Sequence, residues 1–432
     1  MKRLFLVLVL LLAGSAQARL NIEITGGTEG ALPIAIVPFG RAGAGAVPED
    51  VAAIVSADLR RSGRFAPLAD EQLVARPHEG QEVDFARWRG AGSDNLLVGK
   101  VQHTAGRYVV QFQLFDVLRG EQLAGYSIRA TAESLRRVAH QISDIVYQKL
   151  TGERGAFDTH IAYVTVEQGE DGKRRYRLAV ADADGYNEQV ILTSVQPLLS
   201  PAWSPDGTRL AYVSFEQGSS AIYVQYIATG KRERVAAFKG LNGAPNWSPD
   251  GSRLALTLSK DGNAEVYVLD LRTRKLLRIT HSYAIDTEPD WAPDGRSLAF
   301  TSDRGGHPQV YRVQVGARGP IGRPRRLTFE GDYNAAPVFS PDGDSLVMVH
   351  NDRGAFRIAV QDLKTGALRV LTQTRLDESP SFAPNGSMVI YATDVGGRGV
   401  LQVVSVDGRA RQRLALQQGN VREPAWSPFM TK

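Results

Sequence analysis

A seven-residue pattern, P-x-W-S-P-D-G, recurs through the second half of this chain at nearly constant spacing. A tandem repeat of this length, with short β-type segments inside each unit, is typical of a β-propeller whose repeats each form one blade. The repeat therefore favours a surface that holds a partner over a catalytic site. The copies begin at Pro201, Pro245, Pro289, Pro337, Pro380 and Pro424, at intervals of 44, 44, 48, 43 and 44 residues.

Each repeat is predicted to form four strands. In the repeat that begins at Pro201, these are residues 202–204, 210–215, 221–227 and 232–237. The two middle segments are mostly apolar, as expected for strands packed between neighbouring sheets. The Ser-Pro-Asp-Gly sequence predicts the turn between the first two strands, because proline presets φ and Asp and Gly suit the positions after it. Its carboxylates are therefore expected to be turn residues and not catalytic or metal-binding groups.

The last copy of the pattern has no blade after it, since the sequence ends at Lys432. Upstream of the first copy, residues 160–166, 176–181 and 189–193 match the second, third and fourth strands of a blade. We therefore predict six blades, with the C-terminal segment supplying the missing inner strand of the first. A five-bladed ring would leave both segments unpaired, whereas closure removes exposed strand edges.

The N-terminus has the features of a cleaved secretory signal peptide. Lys2 and Arg3 precede an apolar run at 4–12 that is too short to span a bilayer, and 16–18 form an A-x-A cleavage site. The chain has no cysteine, which excludes disulfides and a lipidated N-terminal cysteine. Its formal net charge is +5, and its basic residues are scattered among acidic ones instead of clustered, which does not indicate nucleic-acid binding. We expect a soluble periplasmic protein with no transmembrane segment in its mature chain.

A region of mixed character lies between the signal and the propeller. A buried strand is predicted at 33–39, helices at 48–61 and 133–150, and three further strands within 96–130. This mixture is typical of a small α/β domain. The predicted fold is therefore an α/β domain followed by an all-β six-bladed propeller. The predicted divisions are a signal peptide at 1–18, a flexible partner-binding segment at 19–30, the α/β domain at 31–155 and the propeller at 156–432.

The combination of signal peptide, α/β domain and six blades resembles the TolB family of the bacterial Tol–Pal envelope system. The resemblance covers Arg19 to Lys432 and is close in segments such as SDRGGHPQVYRV and LDESPSFAPNGSMVIYAT. It implies a scaffold whose propeller binds the peptidoglycan-associated lipoprotein Pal and whose N-terminal segment binds the C-terminal domain of TolA. These contacts would support outer-membrane invagination at cell division and envelope integrity. Outer-membrane proteins and colicins are further partners that the resemblance implies.

The residues just ahead of each P-x-W pattern must share one rim of the ring, because they enter equivalent inner strands. The resemblance places Pal binding on the positions of Ala244, Thr287 and Glu288, and Leu241 stands where the family usually has histidine. Each rim residue has an alternative role as a turn former. The predicted Pal-binding rim comprises Ser200, Leu241, Asn242, Ala244, Asp286, Thr287, Glu288, Asn334, Asp377, Glu378, Arg422 and Glu423.

The segment 19–30 is short, alternates apolar and polar residues, and ends in a glycine-rich stretch. Such a segment can add itself to the edge of a partner's sheet, and its alternative role is a frayed edge strand of its own domain. A third hypothesis combines the two: the segment docks on its own domain and is released when Pal binds. The predicted TolA-binding residues are Arg19, Leu20, Asn21, Ile22, Glu23 and Ile24.

The alternative function is an exported propeller enzyme that acts on glycans or peptides in the central channel. The sequence contains neither a G-x-S-x-G elbow nor an H-E-x-x-H motif. Its seven histidines show no pairing at ligand spacing. We therefore predict a monomeric, non-enzymatic protein without a cofactor or a metal.

Overall fold

The structure, a computed structural model, describes residues 30–43, 46–169, 172–414 and 419–430. A mixed β-sheet with three α-helices comes first, followed by six four-stranded antiparallel sheets arranged as a propeller. The predicted fold class is confirmed. The predicted signal peptide and residues 19–29 of the proposed TolA-binding segment lie outside the described residues. No helix in the described ranges is long and apolar enough to cross a membrane.

The N-terminal domain is a sheet with the order β3-β1-β4-β5-β6, with β2 paired to β4. β1 is parallel to β3 and β4, while β4, β5 and β6 run antiparallel. Two predicted helices are present, and the short helix α2, which Asp84 caps, was not predicted. The elements are β1 (Leu32–Ile36), β2 (Gly40–Ala42), α1 (Val51–Arg61), β3 (Phe65–Pro67), α2 (Phe85–Gly90), β4 (Asn95–Thr104), β5 (Arg107–Asp116), β6 (Glu121–Ala130) and α3 (Leu135–Thr151).

The helices α1 and α3 pack together over one face of this sheet. Asp50 begins α1, because its carboxylate accepts the Ala53 N–H at 3.1 Å and so satisfies a free helix donor. Gly152 ends α3 with φ of 81°, a left-handed conformation that glycine adopts without strain. The chain then continues to the first propeller strand at His160. The division predicted at 155 and 156 falls within this connection and stays a prediction.

Each blade has four strands, which in blades 2–6 follow chain order outward from the channel, whereas in blade 1 the order outward is β30-β7-β8-β9. Blade 1 contains β7 (His160–Gln168), β8 (Arg174–Asp182), β9 (Gln189–Ser194) and the C-terminal β30 (Asn420–Trp426). Blade 2 contains β10 (Leu198–Trp203), β11 (Arg209–Ser214), β12 (Ala221–Tyr226) and β13 (Arg232–Ala236). Blade 3 contains β14 (Asn242–Trp247), β15 (Arg253–Leu258), β16 (Glu265–Asp270) and β17 (Leu276–Arg278).

The remaining blades follow the same order. Blade 4 contains β18 (Asp286–Trp291), β19 (Ser297–Ser302), β20 (Gln309–Gly316) and β21 (Gly319–Arg326). Blade 5 contains β22 (Asn334–Phe339), β23 (Ser345–Asp352), β24 (Ala355–Asp362) and β25 (Leu368–Val370). Blade 6 contains β26 (Asp377–Phe382), β27 (Met388–Val395), β28 (Arg398–Ser405) and β29 (Arg411–Arg413).

The C-terminal strand closes the ring, as the sequence predicts. β30 pairs antiparallel with β7, and Trp426 lies opposite Ile161. The Trp426 indole N–H donates to Thr159 Oγ1 at 2.9 Å, and its backbone N–H donates to Ser381 Oγ of blade 6 at 3.0 Å. The first and last blades therefore share one hydrophobic core.

The aromatic residues of the repeat make hydrogen bonds between successive blades. The Trp247 indole donates to the Ala202 carbonyl of blade 2 at 3.1 Å, and the Trp203 indole donates to the Ala425 carbonyl of blade 1 at 3.0 Å. In the Ser-Pro-Asp-Gly turn, the Asp206 carboxylate accepts the backbone N–H of Thr208 at 3.0 Å. These aromatic residues are thus wedges between blades, and the aspartate is a turn residue.

The N-terminal domain contacts the end of the propeller that carries the Ser-Pro-Asp-Gly turns. Asn385, in the equivalent turn of blade 6, donates from Nδ2 to the Arg154 carbonyl at 2.9 Å. Asp184, in the turn between the third and fourth strands of blade 1, forms an ion pair with Arg136 of α3. The inner strands begin at the opposite end of each blade. The predicted rim and the N-terminal domain therefore lie at opposite ends of the propeller.

Replacing Trp426 tests how the ring is closed. We expect Trp426→Ala to lower the free energy of unfolding by about 3–5 kcal/mol, because it leaves a cavity in the core shared by blades 1 and 6. Chemical denaturation monitored by circular dichroism measures the loss. Tyr283→Ala removes a fully exposed aromatic ring (107% relative exposure) and serves as the control. Equal stability of the two variants would contradict closure through this residue.

Candidate partner-binding rim

Every inner strand contains a bulge at the residue that precedes the repeat's proline. The pairing with the second strand shifts register at this point in all six blades. A non-glycine residue in the left-handed region costs roughly 1–2 kcal/mol, so a compensating interaction is expected. The bulged residues are Ser200, Ala244, Glu288, Ala336, Ser379 and Glu423, and their φ angles lie between 45° and 54°.

The bulge directs backbone N–H groups toward the preceding blade. The Ser200 N–H donates to Glu423 of blade 1 at 3.1 Å, and the Glu288 N–H donates to Thr257 of blade 3 at 3.2 Å. The Ala336 N–H donates to Glu288 of blade 4 at 3.0 Å. Hydrogen bonds between blades thus compensate the backbone strain, and they hold the bulged residues in position at the mouth of the channel.

Four predicted rim residues are buried instead of exposed. Asn242 accepts the Phe238 N–H at 2.8 Å, and Asn334 donates to the Glu330 carbonyl at 2.8 Å. Asp286 pairs with Arg304 in its own blade at 2.6 Å. These side chains hold the loops that lead into the inner strands, so their place in a partner contact stays a prediction. The four are Asn242, Asp286, Asn334 and Asp377, with relative exposures of 0–2%.

The other predicted rim residues lie around the channel mouth. Leu241 is 43% exposed, and Glu378 and Arg422 are also exposed. The half-buried members are Ser200, Ala244, Thr287, Glu288 and Glu423. Ser200, Ala244 and Glu288 line a central cavity of about 370 Å³. The structure therefore brings these predicted residues together at one end of the channel.

The rim also carries large apolar side chains that the sequence analysis did not select. Tyr283 is fully exposed (107%), Phe329 is 74% exposed and Leu376 is 60% exposed. Each lies in a loop between the last strand of one blade and the inner strand of the next, where Val195 and Ile285 are exposed as well. The sequence signal that could have identified these side chains is the presence of apolar residues in segments predicted to be loops. Apolar side chains clustered on a surface are typical of protein-binding sites.

Carboxylates in the channel accept backbone hydrogen bonds. Burial raises the pKa of Glu423 to about 7, and the neighbouring carboxylates of Glu378 and Glu288 add to this effect. Burial also raises the pKa of Asp290 to about 7, while its carboxylate accepts the Phe339 N–H at 2.8 Å. These groups connect successive blades, and this structural role explains their presence without acid–base chemistry.

A group with metal-ligand chemistry lies between the two domains. Asp58 of α1, His140 of α3 and Asp184 of blade 1 are buried, and their ligand atoms lie within 4.8 Å of one another. Arg61 Nη2 lies 2.8 Å from Asp58 Oδ1, and Arg136 pairs with Asp184. Two guanidinium groups therefore already balance the two carboxylates. This charge balance favours an ion-pair network over a bound divalent cation.

His140 is the titratable centre of this network. Its Nδ1 lies 2.7 Å from Asp58 Oδ2. Burial lowers the pKa of His140, but the carboxylates of Asp58 and Asp184 outweigh burial and raise the pKa to about 9. The histidine is thus protonated at neutral pH and contributes a buried positive charge to the domain interface.

The network predicts a pH-dependent stability. Because the folded-state pKa of His140 exceeds its ordinary value, its contribution is fully present below about pH 6.5 and is lost as the pH rises through about 9. We expect His140→Gln to destabilise the protein more at pH 6 than at pH 9.5, with a difference of up to about 3 kcal/mol. Calorimetric unfolding at both pH values measures it. His281→Gln, at an exposed position, is the control, and an equal loss at both pH values would contradict the prediction.

The fold and the rim define a two-domain β-propeller protein with a candidate protein-binding surface at the channel mouth. Residues 147–430 match the family model described as the TolB beta propeller domain, and residues 20–123 match the TolB amino-terminal domain. The chain therefore belongs to the TolB family, and it is a member of the group of Tol–Pal system proteins that carry this name.

Proteins similar to this chain over nearly their whole lengths support the family assignment. The chain is 59% identical to the Tol-Pal system protein TolB of Thioalkalivibrio sulfidiphilus over 100% of this chain and 98% of the relative. It is 58% identical to that of Nitrosococcus oceani over 98% and 97%. The crystal structure of TolB from Acinetobacter baumannii superposes with a TM-score of 0.86 and 43% identity, over 95% of this chain and 100% of that chain.

Proposed function

We propose that this chain is a non-enzymatic periplasmic scaffold of the Tol–Pal system, which binds Pal at the propeller rim and TolA through residues 19–30. Membership of the TolB family supports the Tol–Pal role. The observation that carries the rim assignment is the ring of exposed apolar side chains around the channel mouth, at the end of the propeller away from the N-terminal domain. In this role the protein supports outer-membrane invagination during division.

The rim combines the two components of a specific protein interface. Leu241, Ile285 and Leu376 supply apolar contact area around the channel mouth. Glu378 and Arg422 add exposed charges of opposite sign at the edge. Interfaces of this kind obtain most of their affinity from a few desolvated anchors, while the surrounding charges favour the correct partner.

Glu288 is suited to act as a preorganised acceptor in the Pal contact. Its Oε2 accepts hydrogen bonds from Thr301 Oγ1 at 2.8 Å and from the Ala336 N–H at 3.0 Å. These bonds restrict the side chain before a partner arrives, so little conformational entropy is lost on binding. The same bonds occupy the carboxylate structurally, which supports a binding role over general acid–base catalysis.

Substitutions at exposed rim leucines test Pal binding. We expect Leu241→Asp and Leu376→Asp each to weaken binding to the periplasmic domain of the organism's own Pal by at least about tenfold, because each places a charge in an apolar contact. Isothermal titration calorimetry on the mature protein measures the affinity. Leu118→Asp changes a leucine that is 61% exposed on the N-terminal domain and is the matched control.

Two results would overturn the rim assignment. One is the absence of binding by a well-folded wild-type protein. The other is an equal affinity for Pal in the two rim variants and in the Leu118→Asp control. Turnover of a glycan or peptide by the purified wild-type protein would instead support the alternative of an enzyme with its site in the channel.

The N-terminal segment supplies the proposed TolA contact. Its alternating sequence from Arg19 to Ile24 supports addition to a sheet edge of the TolA C-terminal domain. We expect deletion of residues 19–28 to abolish TolA binding in a pull-down with the purified domain. Binding to Pal should persist, because the rim lies at the opposite end of the propeller from the N-terminal domain. Unchanged TolA binding would show that this segment is not the contact.

A further inference from the structure

The outer side of blades 4 and 5 differs from the rest of the propeller. The repeat that begins at Pro289 is 48 residues long, whereas the other intervals are 43 or 44. The hairpin of β20 and β21 is correspondingly long, and β21, at eight residues, is the longest outer strand among the described blades. This hairpin carries four arginines within nine residues, at Arg318, Arg323, Arg325 and Arg326.

These arginines lack the acidic partners that accompany basic residues on other blades. Arg232 of blade 2 pairs with Glu216 at 2.7 Å, and Arg278 of blade 3 pairs with Glu265 at 3.0 Å. Within the described parts of the chain, no ion pair is formed by Arg318, Arg323 or Arg325. The hairpin therefore presents a local excess of positive charge to an anionic partner.

A groove of about 340 Å³ runs between this hairpin and blade 5. Its lining includes the apolar side chains of Leu327, Phe329, Leu363 and Leu368, together with Arg325, Arg326 and one acidic residue, Glu330. β25 of blade 5 has only three residues, so it is much shorter than the neighbouring β21. The groove thus combines apolar lining with a net positive charge, since two arginines outnumber one glutamate.

Gln361 lines this groove and carries an unpaired hydrogen-bond acceptor beneath its surface. Its Nε2 donates to the Leu327 carbonyl at 2.9 Å, but its Oε1 is buried and has no hydrogen-bond partner, in a side chain of a residue that is 5% exposed. An unpaired buried acceptor costs roughly 1–3 kcal/mol, so a donor from a ligand would be stabilised there.

The residue of blade 2 that is equivalent to Gln361 has a hydrogen-bond donor for its side-chain oxygen, which Gln361 lacks. Gln225 Nε2 donates to the Ile191 carbonyl at 3.2 Å, and Gln225 Oε1 accepts from the Tyr212 hydroxyl at 3.0 Å. In blade 5 the strand position of that tyrosine is occupied by Met348, which has no hydroxyl to donate. The free acceptor is therefore a specific difference of blade 5 and does not belong to the repeat.

We propose that the groove between blades 4 and 5 binds an extended acidic peptide of a partner protein. An extended chain alternates its side chains between two faces, so apolar residues can lie against the leucines while carboxylates meet the arginines. A backbone N–H of the peptide that reaches the buried Gln361 Oε1 would supply the donor that this acceptor lacks. This surface lies between the outer strands of blades 4 and 5, and Phe329, which lines it, is also one of the exposed apolar residues beside the channel mouth.

Fluorescence anisotropy with a labelled hexapeptide of alternating aspartate and leucine tests the proposal on the mature full-length chain. We expect saturable binding at low salt that weakens as the ionic strength rises. Arg325→Glu should weaken it by at least about tenfold, since it reverses a charge in the groove lining. Arg272→Glu changes an exposed arginine on blade 3 and should bind as the wild type does. A peptide with lysine in place of aspartate should not bind.

Met348→Tyr tests the role of the free acceptor. A tyrosine at this position restores the donor seen in blade 2 and should weaken peptide binding by about tenfold with a folded circular dichroism spectrum. Leu241→Asp should leave peptide binding unchanged, so this result is independent of Pal binding at the rim. The proposal is overturned if the wild type shows no saturable binding, if the lysine peptide binds equally, or if Arg325→Glu binds as the wild type does.

Discussion

The pairing of the C-terminal strand β30 with β7 is the interaction on which the rest of the structure depends. It joins segments more than 250 residues apart and gives blade 1 its inner strand. The same strand carries Glu423, whose carboxylate accepts the Ser200 N–H of blade 2. The geometry of the rim therefore depends on ring closure. Without β30, the channel mouth would lose both an inner strand and a hydrogen bond between blades.

The bulges at the channel mouth show how a repeated backbone supports a varied surface. Serine, alanine and glutamate occupy the same strained position, with φ angles near 50°. The compensation that the structure shows is a bond from the backbone N–H of the bulged residue to the preceding blade, as for Ser200 and Ala336. The donor residue needs no particular side chain for this bond, whereas Glu423 and Glu288 supply its acceptor from the bulged position of the preceding blade. Bulged positions such as Ser200 and Ala336 can thus vary without loss of this bond, while Glu288 and Glu423 combine a rim position with a structural role.

The blades were predictable because turn chemistry and strand patterns are local, and the C-terminal closure followed from counting strands. The exposure of rim residues was not predictable in this way. Asn242 and Leu241 are adjacent, yet the first is buried and the second is 43% exposed. Their orientation depends on contacts with neighbouring loops, which a single repeat does not contain. Tyr283 was missed for a related reason, since strand periodicity gives no information about loops. The helix α2 is only six residues long, too short to show a helical period.

Blade 1 connects the two ends of the molecule. At one end Asp184 meets Arg136 of α3 in the buried network between the domains, and at the other end Glu423 borders the channel mouth. Both residues belong to the same blade, whose strands come from opposite ends of the propeller sequence. Packed sheets transmit small displacements better than they absorb them, because their interiors are close-packed. A partner that contacts β30 at the rim therefore contacts the same blade whose Asp184 pairs with the N-terminal domain.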